Sequence, residues 1–261
     1  MRKHIANCFT LLNLVFGCLA IIQILAGLPG LGLSFAAGGA AEADLVARMC
    51  VASLFICLAG VVDFLDGLIA RLLGAASEMG KQLDSLADLV SFGVAPGLIL
   101  YQFLLIAFSN GNLAAGASMN YWYLLPALLV PLAGAYRLAR FNLGTHFSTE
   151  FEGLPIPAGG ILIASFPLIF KNTDNQALQQ LMHTSWFWYA VTLIVSFLMI
   201  STIAMMSLKF KNLSFIQNWP KFLLLILAIV LGISLHWLAV PLVFIVYILL
   251  SVIMLRKGTP L

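Results

Sequence analysis

The sequence predicts an all-α fold, a polytopic bundle of about eight helices that crosses a membrane several times. Of the 261 residues, 62% are hydrophobic and 9% are charged, whereas soluble domains average roughly 45–50% apolar and about 25% charged residues. Several apolar runs reach the ~20 residues that a helix needs to cross a ~30 Å hydrocarbon core. Basic residues are also concentrated in alternate connections between these runs.

Apolar segments account for most of the chain, and no internal repeat or low-complexity linker divides it. We therefore expect one membrane domain over residues 1–261, with a core over about 1–170 and further helices over about 186–255. The break between the last two segments is short, so the sequence allows six to eight helices. The predicted segments are 5–27, 45–71, 82–108, 121–141, 155–170, 186–207, 221–236 and 239–255.

The first segment has some features of a secretory signal peptide, because Arg2 and Lys3 precede an apolar run. That run is long for the apolar part of a signal peptide, and Asn7, Thr10 and Asn13 interrupt it at three-residue spacing. We therefore expect it to remain as the first transmembrane helix.

The distribution of basic residues predicts the orientation in the cell membrane. Eleven of the thirteen Lys and Arg residues lie near the termini or in every other connection, and Arg48 and Lys171 are the exceptions. By the positive-inside tendency, both termini are predicted to be cytoplasmic, the helix number is even, and the turn over 72–81 lies near the cytoplasmic face. The net charge of +3 is too small to indicate nucleic acid as a partner. The cysteines and histidines have no spacing typical of a zinc site or a disulfide framework.

Four aspartates are concentrated within 26 positions of this weakly charged chain: Asp63, Asp66, Asp84 and Asp88. In a helix, residues three or four apart share a face, so the first two form one pair and the last two form another. A short turn joins the two predicted helices, which should therefore pack as antiparallel neighbours. All four carboxylates then converge between two helix faces, just inside the cytoplasmic boundary.

Such a group of carboxylates needs opposite charge, because an isolated charge in hydrocarbon is strongly unfavourable. Arg71 and Lys81 supply at most two positive charges. Hard divalent cations with carboxylate oxygen ligands fit the deficit, and two such ions would balance four aspartates. Carboxylate oxygens accept both Mg²⁺ and Mn²⁺, so the sequence does not choose between them.

Small residues next to these aspartates indicate a phosphate site. Gly67, Ala70 and Gly80 would let a bulky ligand approach the helix backbone, and Arg71 lies one turn beyond, where it could hold a phosphate oxygen bidentately. Metal ions commonly stabilise the charge that develops in displacement at phosphorus. Two other interpretations stay open: surface caps and salt bridges, or a carboxylate-based cation transporter. Four carboxylates at helical spacing inside apolar segments argue against the caps, and a transporter gives no purpose to the small residues.

The aspartates and small residues form a fixed pattern. Residues 63–71 read D-x-x-D-G-x-x-A-R, and after eight further residues 80–88 read G-x-x-x-D-x-x-x-D. In every element and spacing this pattern resembles the signature of the CDP-alcohol phosphotransferase family. The resemblance implies an integral membrane enzyme that transfers a phosphatidyl or similar group from a CDP-linked donor to an alcohol and releases CMP.

The same resemblance implies roles for particular residues. Asp63, Asp66, Asp84 and Asp88 would be metal ligands, and Asp88 would also be the general base. A CDP site is implied at four positions: Gly67, Ala70, Arg71 and Gly80.

Flanking stretches resemble the membrane-embedded phosphatidylserine synthases of that family. They are residues 7–17, 84–97, 136–142 and 153–160. This similarity implies CDP-diacylglycerol as donor, L-serine as acceptor and a homodimer in the lipid bilayer. Glycerol 3-phosphate, inositol or its phosphate as acceptor, and an archaeal ether lipid as donor, stay open. The last hundred residues carry no recognisable motif and are expected to complete the helical scaffold.

Further polar residues are candidates for binding the substrates. Arg137 and Arg140, with Asn142 just beyond, could bind the carboxylate of serine, or they could be ordinary positive-inside anchors. Asn7, Thr10 and Asn13 form a polar stripe on the first helix and could contact the cytidine or its phosphates. Hydrogen bonding between helices is the alternative for that stripe. Residues 155–157, Pro-Ile-Pro, are expected to begin a helix.

Overall fold

Long α-helices form almost all of the chain, as the apolar runs predict. The computed structural model describes residues 2–26, 39–72, 74, 77–109, 120–143, 151–206 and 215–256. The helices are α1 (Arg2–Ala26), α2 (Gly39–Leu72), α3 (Glu78–Asp88), α4 (Ala95–Ser109), α5 (Leu129–Leu143), α6 (Ile156–Asn172), α7 (Gln176–Met182), α8 (Ser185–Ile200), α9 (Phe215–Leu235) and α10 (Ala239–Arg256). The all-α prediction is confirmed.

Each predicted apolar segment corresponds to observed helix, with shifted ends. The third segment begins at Glu78 rather than near 82, because Ser77 caps the helix by accepting a hydrogen bond from the Gly80 N–H. The fourth begins as short 3₁₀ turns over 121–128 before α5. The seven-residue α7 was not predicted, because it is too short and too polar to form an apolar run.

Several described helices are long and apolar enough to cross a membrane, which makes this a multi-pass membrane protein. A further candidate is the pair α7 and α8, which is bent by 70° at the break between them. The last long segment contains the 3₁₀ turn His236–Leu238, where His236 has a φ of 50°. This turn is the break predicted between the last two segments. The long candidate spans are Asn7–Ala26, Ala41–Ala70, Glu78–Ser109 and Trp219–Ile253.

One π-helical turn, Leu89–Val94, separates α3 from α4 and packs against α1. Gly17 permits this contact, since a Cβ atom on it would lie 2.9 Å from Ser91 Cα. The Ser91 hydroxyl donates to the carbonyl oxygen of Asn13 at 3.1 Å. The π turn therefore holds the end of α3 against the polar stripe of α1.

A two-residue strand pairing, which the sequence did not predict, joins the start of α6 to the C-terminal part of the chain. Strand β1 (Phe151–Glu152) pairs antiparallel with β2 (Ala204–Met205). Gly153 follows β1 with a φ of 70° and donates its N–H to the carbonyl oxygen of Ile203 at 2.9 Å. This left-handed conformation suits glycine, and it directs the chain into α6.

Candidate active site

The structure brings together the four aspartates of the sequence pattern. Carboxylate oxygens of Asp63, Asp66 and Asp84 lie within 4.8 Å of one another. The Asp63 carboxyl also lies close to those of Asp84 and Asp88. Asp66 and Asp88 are the most buried of the four, with 6% and 8% of their surfaces exposed. The last three turns of α2 and the second half of α3 thus supply one carboxylate cluster.

The polar stripe of α1 faces this cluster. Thr10 donates its hydroxyl hydrogen to Asp66 Oδ2 at 2.8 Å, and Asn13 donates from Nδ2 to Asp88 Oδ1 at 3.2 Å. Both donors are buried. Residues three apart on α1 therefore hold one aspartate from each of the two helices that carry the cluster. Thr10 and Asn13 therefore each contact an aspartate directly, a partner that the polar spacing of α1 did not specify.

The charges around the cluster suit a divalent cation. Among the described side chains, Arg48 pairs with Asp44 and the His183 imidazole lies near Glu42, and neither contact reaches the four aspartates. Three clustered carboxylate oxygens without a basic partner in the described part of the chain are the type of ligand set that a hard cation requires. Asp63, Asp66 and Asp84 therefore fit a metal site.

The small residues of the pattern lie beside the cluster. A Cβ atom on Gly67 would have no described atom within 4 Å, so the α2 surface there has room for a ligand. On α3, a Cβ on Gly80 would lie 3.1 Å from Ser77 Oγ and 3.2 Å from Asn7 Oδ1, so α1 approaches closely. Ala70 is partly buried, and the Arg71 side chain lies outside the described part of the structure.

A cavity of about 360 Å³ opens next to the cluster and contains residues from distant parts of the chain. Arg137, only 7% exposed, reaches it from α5. Its Nε atom and the Asn142 Oδ1 atom are buried without a hydrogen-bond partner among the described residues. One side of the cavity therefore carries the aspartates, and the other carries Arg137 and Asn142, each with a polar atom that has no hydrogen-bond partner among the described residues. It is lined by Asp63, Lys81, Asp84, Ser85, Asp88, Arg137, Leu138, Phe141, Asn142, Pro155, Ile156, Pro157, Met206 and Tyr247.

The two arginines of the predicted acceptor site have different surroundings. The Arg140 guanidinium donates from Nη1 to the carbonyl oxygen of Ile200 at 2.9 Å and from Nη2 to that of Ser201 at 3.1 Å. These carbonyls end α8, where a cation is favourable. Arg140 does not line the cavity, whereas Arg137 and Asn142 do.

Several cavity residues were not predicted as site residues. Lys81 and Ser85 lie on the Asp88 face of α3, and this i, i+4, i+7 spacing was the available signal. Lys81 donates to the Asn142 carbonyl oxygen at 3.4 Å, and the Asn142 amide donates to Ser85 Oγ at 2.9 Å. Met206 and Tyr247 had no local signal, because they reach the cavity only through packing.

Pro155 and Pro157 begin α6, as the sequence predicts, and also line the cavity.

Comparison with known proteins gives the family. The sequence model described as CDP-alcohol phosphatidyltransferase matches residues 3–196, which include the whole carboxylate cluster. The chain belongs to this family. Its members depend on a divalent metal, in agreement with the ligand set formed by Asp63, Asp66 and Asp84.

Several curated proteins that are similar to this chain are named for the transfer of a lipid phosphate group to serine or for the synthesis of a serine lipid. A Saccharomyces cerevisiae protein named CDP-diacylglycerol–serine O-phosphatidyltransferase is 37% identical over 184 residues, which cover 65% of this chain and 57% of the relative. A Mycobacterium bovis protein of the same name is 34% identical over 185 residues, covering 68% and 58%. The archaetidylserine synthase of Methanothermobacter thermautotrophicus is 38% identical over 119 residues, covering 45% and 46%. Across eight of the curated relatives, the matched part spans 34% to 60% of their own length.

Proposed function

We propose that this family member transfers the phosphatidyl group of CDP-diacylglycerol to the hydroxyl of L-serine, with phosphatidylserine and CMP as products. The observation that carries the proposal is the cavity, which joins the carboxylate cluster to the buried Arg137 guanidinium. One side suits metal and pyrophosphate, and the other suits an acceptor with a carboxylate. Relatives named for serine transfer support this acceptor.

The donor would bind at the carboxylate cluster. Asp63, Asp66, Asp84 and Asp88 would hold two divalent ions, Mg²⁺ or Mn²⁺, which supply stabilisation of negative charge on phosphoryl oxygens. The open surface beside Gly67 would receive the pyrophosphate.

Four further residues complete the proposed CDP site. Ala70 and Gly80 would leave room for the nucleotide, and Arg71 would hold a phosphate oxygen. Asn7 would contact the cytidine or its phosphates, since its side chain adjoins Gly80. Thr10 would act on the same site through Asp66, to which it donates.

Asp88 is proposed as the general base. Its carboxyl lines the cavity, and Asn13 orients it by donating to Oδ1. As the serine hydroxyl oxygen attacks the phosphorus that carries the diacylglycerol, its proton passes to Asp88, and the bond to the CMP phosphate oxygen breaks. A hydroxyl is a poor nucleophile at neutral pH, so a positioned base is needed.

Arg137 and Asn142 are proposed to bind the serine carboxylate and amino group, respectively. The guanidinium offers donors to a carboxylate, and the Asn142 Oδ1 atom offers an acceptor to an ammonium group. The Arg137 Nε atom and the Asn142 Oδ1 atom have no hydrogen-bond partner among the described residues. Arg140 is left out of this acceptor site, because its guanidinium is bound to the end of α8.

The orientation is part of the proposal. Both termini and the carboxylate cluster would lie on the cytoplasmic side of the cell membrane, so that serine and CMP exchange with the cytoplasm. We also propose a homodimer in the bilayer, since two-fold pairs are the commonest symmetric assemblies.

An archaeal ether-lipid donor with the same acceptor is the second candidate, favoured by the relative named archaetidylserine synthase. It changes only the lipid chains and leaves the chemistry at phosphorus unaltered.

The test is CMP release by the purified protein in detergent, with CDP-diacylglycerol or its ether analogue and Mg²⁺ or Mn²⁺. Serine, glycerol 3-phosphate, inositol and inositol phosphate are offered separately. Release with serine alone, abolished by a chelator, is expected. Release with a different alcohol would overturn the acceptor and keep the family chemistry. Metal transport without CMP release would instead favour the transporter.

A further inference from the structure

We infer that the C-terminal helix α10 forms one wall of the acceptor pocket, and that Tyr247 determines which acceptor alcohols fit. This inference rests on the proposed function, since it concerns the acceptor side of the same cavity. It replaces the expectation that the last hundred residues only complete the scaffold. The family match ends at residue 196, so this wall lies outside the matched segment.

Hydrogen bonds hold Tyr247 in a fixed position. Its hydroxyl donates to the Met206 carbonyl oxygen at 3.1 Å. Ser251, one turn further along α10, accepts from the Met206 N–H at 3.2 Å and donates to the Tyr247 carbonyl oxygen at 2.8 Å. Tyr247 and Ser251 are both buried. A buried, fully bonded tyrosine of this kind forms a rigid surface rather than a mobile one.

The position of Tyr247 relative to the cavity suggests what this surface does. Tyr247 lines the cavity together with Arg137 and Asp88. Its phenol hydrogen is already bound to Met206, so the side chain offers bulk to the cavity rather than a new donor. An acceptor bound to Arg137 therefore meets the tyrosine wall.

This arrangement predicts the class of acceptor. Arg137 selects a carboxylate, Asp88 requires a hydroxyl within reach of the cluster, and the Tyr247 wall limits the bulk between them. A small hydroxy amino acid satisfies all three conditions. Homoserine has one more methylene and should be rejected, because rigid pockets discriminate against an added methylene by about tenfold or more.

The experiment compares Tyr247→Ala with a matched control, Ile245→Ala, in purified full-length protein. Ile245 lies on the same helix and is exposed on the bundle surface. Tyr247→Ala should raise the KM for serine about tenfold. The ratio of kcat/KM for serine to kcat/KM for homoserine should fall by a similar factor. The KM for CDP-diacylglycerol should change less than about twofold, because the donor side is intact. Ile245→Ala should leave all three values unaltered.

Tyr247→Phe separates the ring from its hydroxyl and should retain most of the serine preference. Tyr247→Leu provides a buried side chain of intermediate bulk if the alanine variant does not fold, and it should also narrow the preference. Equal changes in both KM values, an unchanged homoserine ratio, or the same effect from Ile245→Ala would overturn the inference. If the wild type releases CMP only with another alcohol, the proposed acceptor fails. The KM values for that alcohol and for CDP-diacylglycerol, compared between Tyr247→Ala and Ile245→Ala, then test the role of Tyr247 independently.

Discussion

Asn13 on α1 donates a hydrogen bond to Asp88 at the end of α3, across 75 positions of sequence. The Asn13 carbonyl oxygen also accepts from Ser91 in the π turn that follows Asp88. One residue of the first helix thus orients both the carboxylate proposed as general base and the backbone segment behind it. The remaining Asn13 oxygen has no hydrogen-bond partner among the described residues.

Replacing Asn13 by alanine should lower kcat about tenfold to a hundredfold, because an unoriented base transfers a proton less efficiently. The KM values for both substrates should change little, since Asn13 lies behind Asp88. Steady-state CMP release measures both quantities. A rise in KM for CDP-diacylglycerol with unchanged kcat would instead place Asn13 in donor binding.

Thr10→Val should raise the Mg²⁺ or Mn²⁺ concentration needed for half-maximal activity by about tenfold. The hydroxyl that orients Asp66 is lost, and such supporting hydrogen bonds typically contribute a factor of about 10–100 to metal affinity. Ser53→Ala is the control, because Ser53 is buried and, among the described residues, its hydroxyl donates to the Met49 carbonyl oxygen of its own helix. An identical metal dependence of both variants would contradict the role of Thr10.

Asp88→Asn should lower kcat by a factor of about 100 or more, because a general base is removed. Binding of the CDP-diacylglycerol donor should be largely retained. Asp66→Asn should weaken metal and donor binding together. Binding of labelled CDP-diacylglycerol and CMP release distinguish the two effects. Asp44→Asn, which alters a carboxylate paired with Arg48 away from the cluster, should behave as wild type. Near-normal turnover of Asp88→Asn would exclude it as the base.

Arg137→Ala should raise the KM for serine at least about tenfold with little effect on the KM for donor, since a charge-assisted hydrogen bond contributes roughly 1.5–3 kcal/mol. Arg140→Ala should instead lower thermal stability, because two carbonyl oxygens at the end of α8 lose their donor. Kinetics and thermal unfolding in detergent distinguish these outcomes. If Arg140→Ala raised the KM for serine and left the KM for the donor unchanged, Arg140 would belong to the acceptor site.

Gly17→Ala should lower stability by about 1–3 kcal/mol, the usual range for inserting a methyl group into a packed contact. The new Cβ would lie 2.9 Å from Ser91 Cα, so α1 and the π turn must separate. Gly232→Ala is the control, because a Cβ there meets nothing within 4 Å. Thermal unfolding of both variants provides the comparison, and equal unfolding temperatures would mean that the contact adapts without strain.

The main features of the cluster were predictable because they are local. Asp63 and Asp66, like Asp84 and Asp88, are separated by three or four residues, and helical geometry alone puts such residues on one face. A short connection then makes the two faces neighbours. The polar spacing of α1 was also visible, although it did not indicate which carboxylates its members would contact.

Apolar runs and helical periodicity are properties of short segments, so the amino-acid pattern was enough to predict the membrane bundle and the carboxylate cluster. The packing of distant helices sets the partners of Asn13 and Thr10, the different surroundings of Arg137 and Arg140, and the position of Tyr247 in the cavity. Those two arginines are three residues apart on one helix, yet α8 carbonyls bind one and the cavity receives the other. Such choices depend on how distant helices pack, which the spacing within any one helix does not specify.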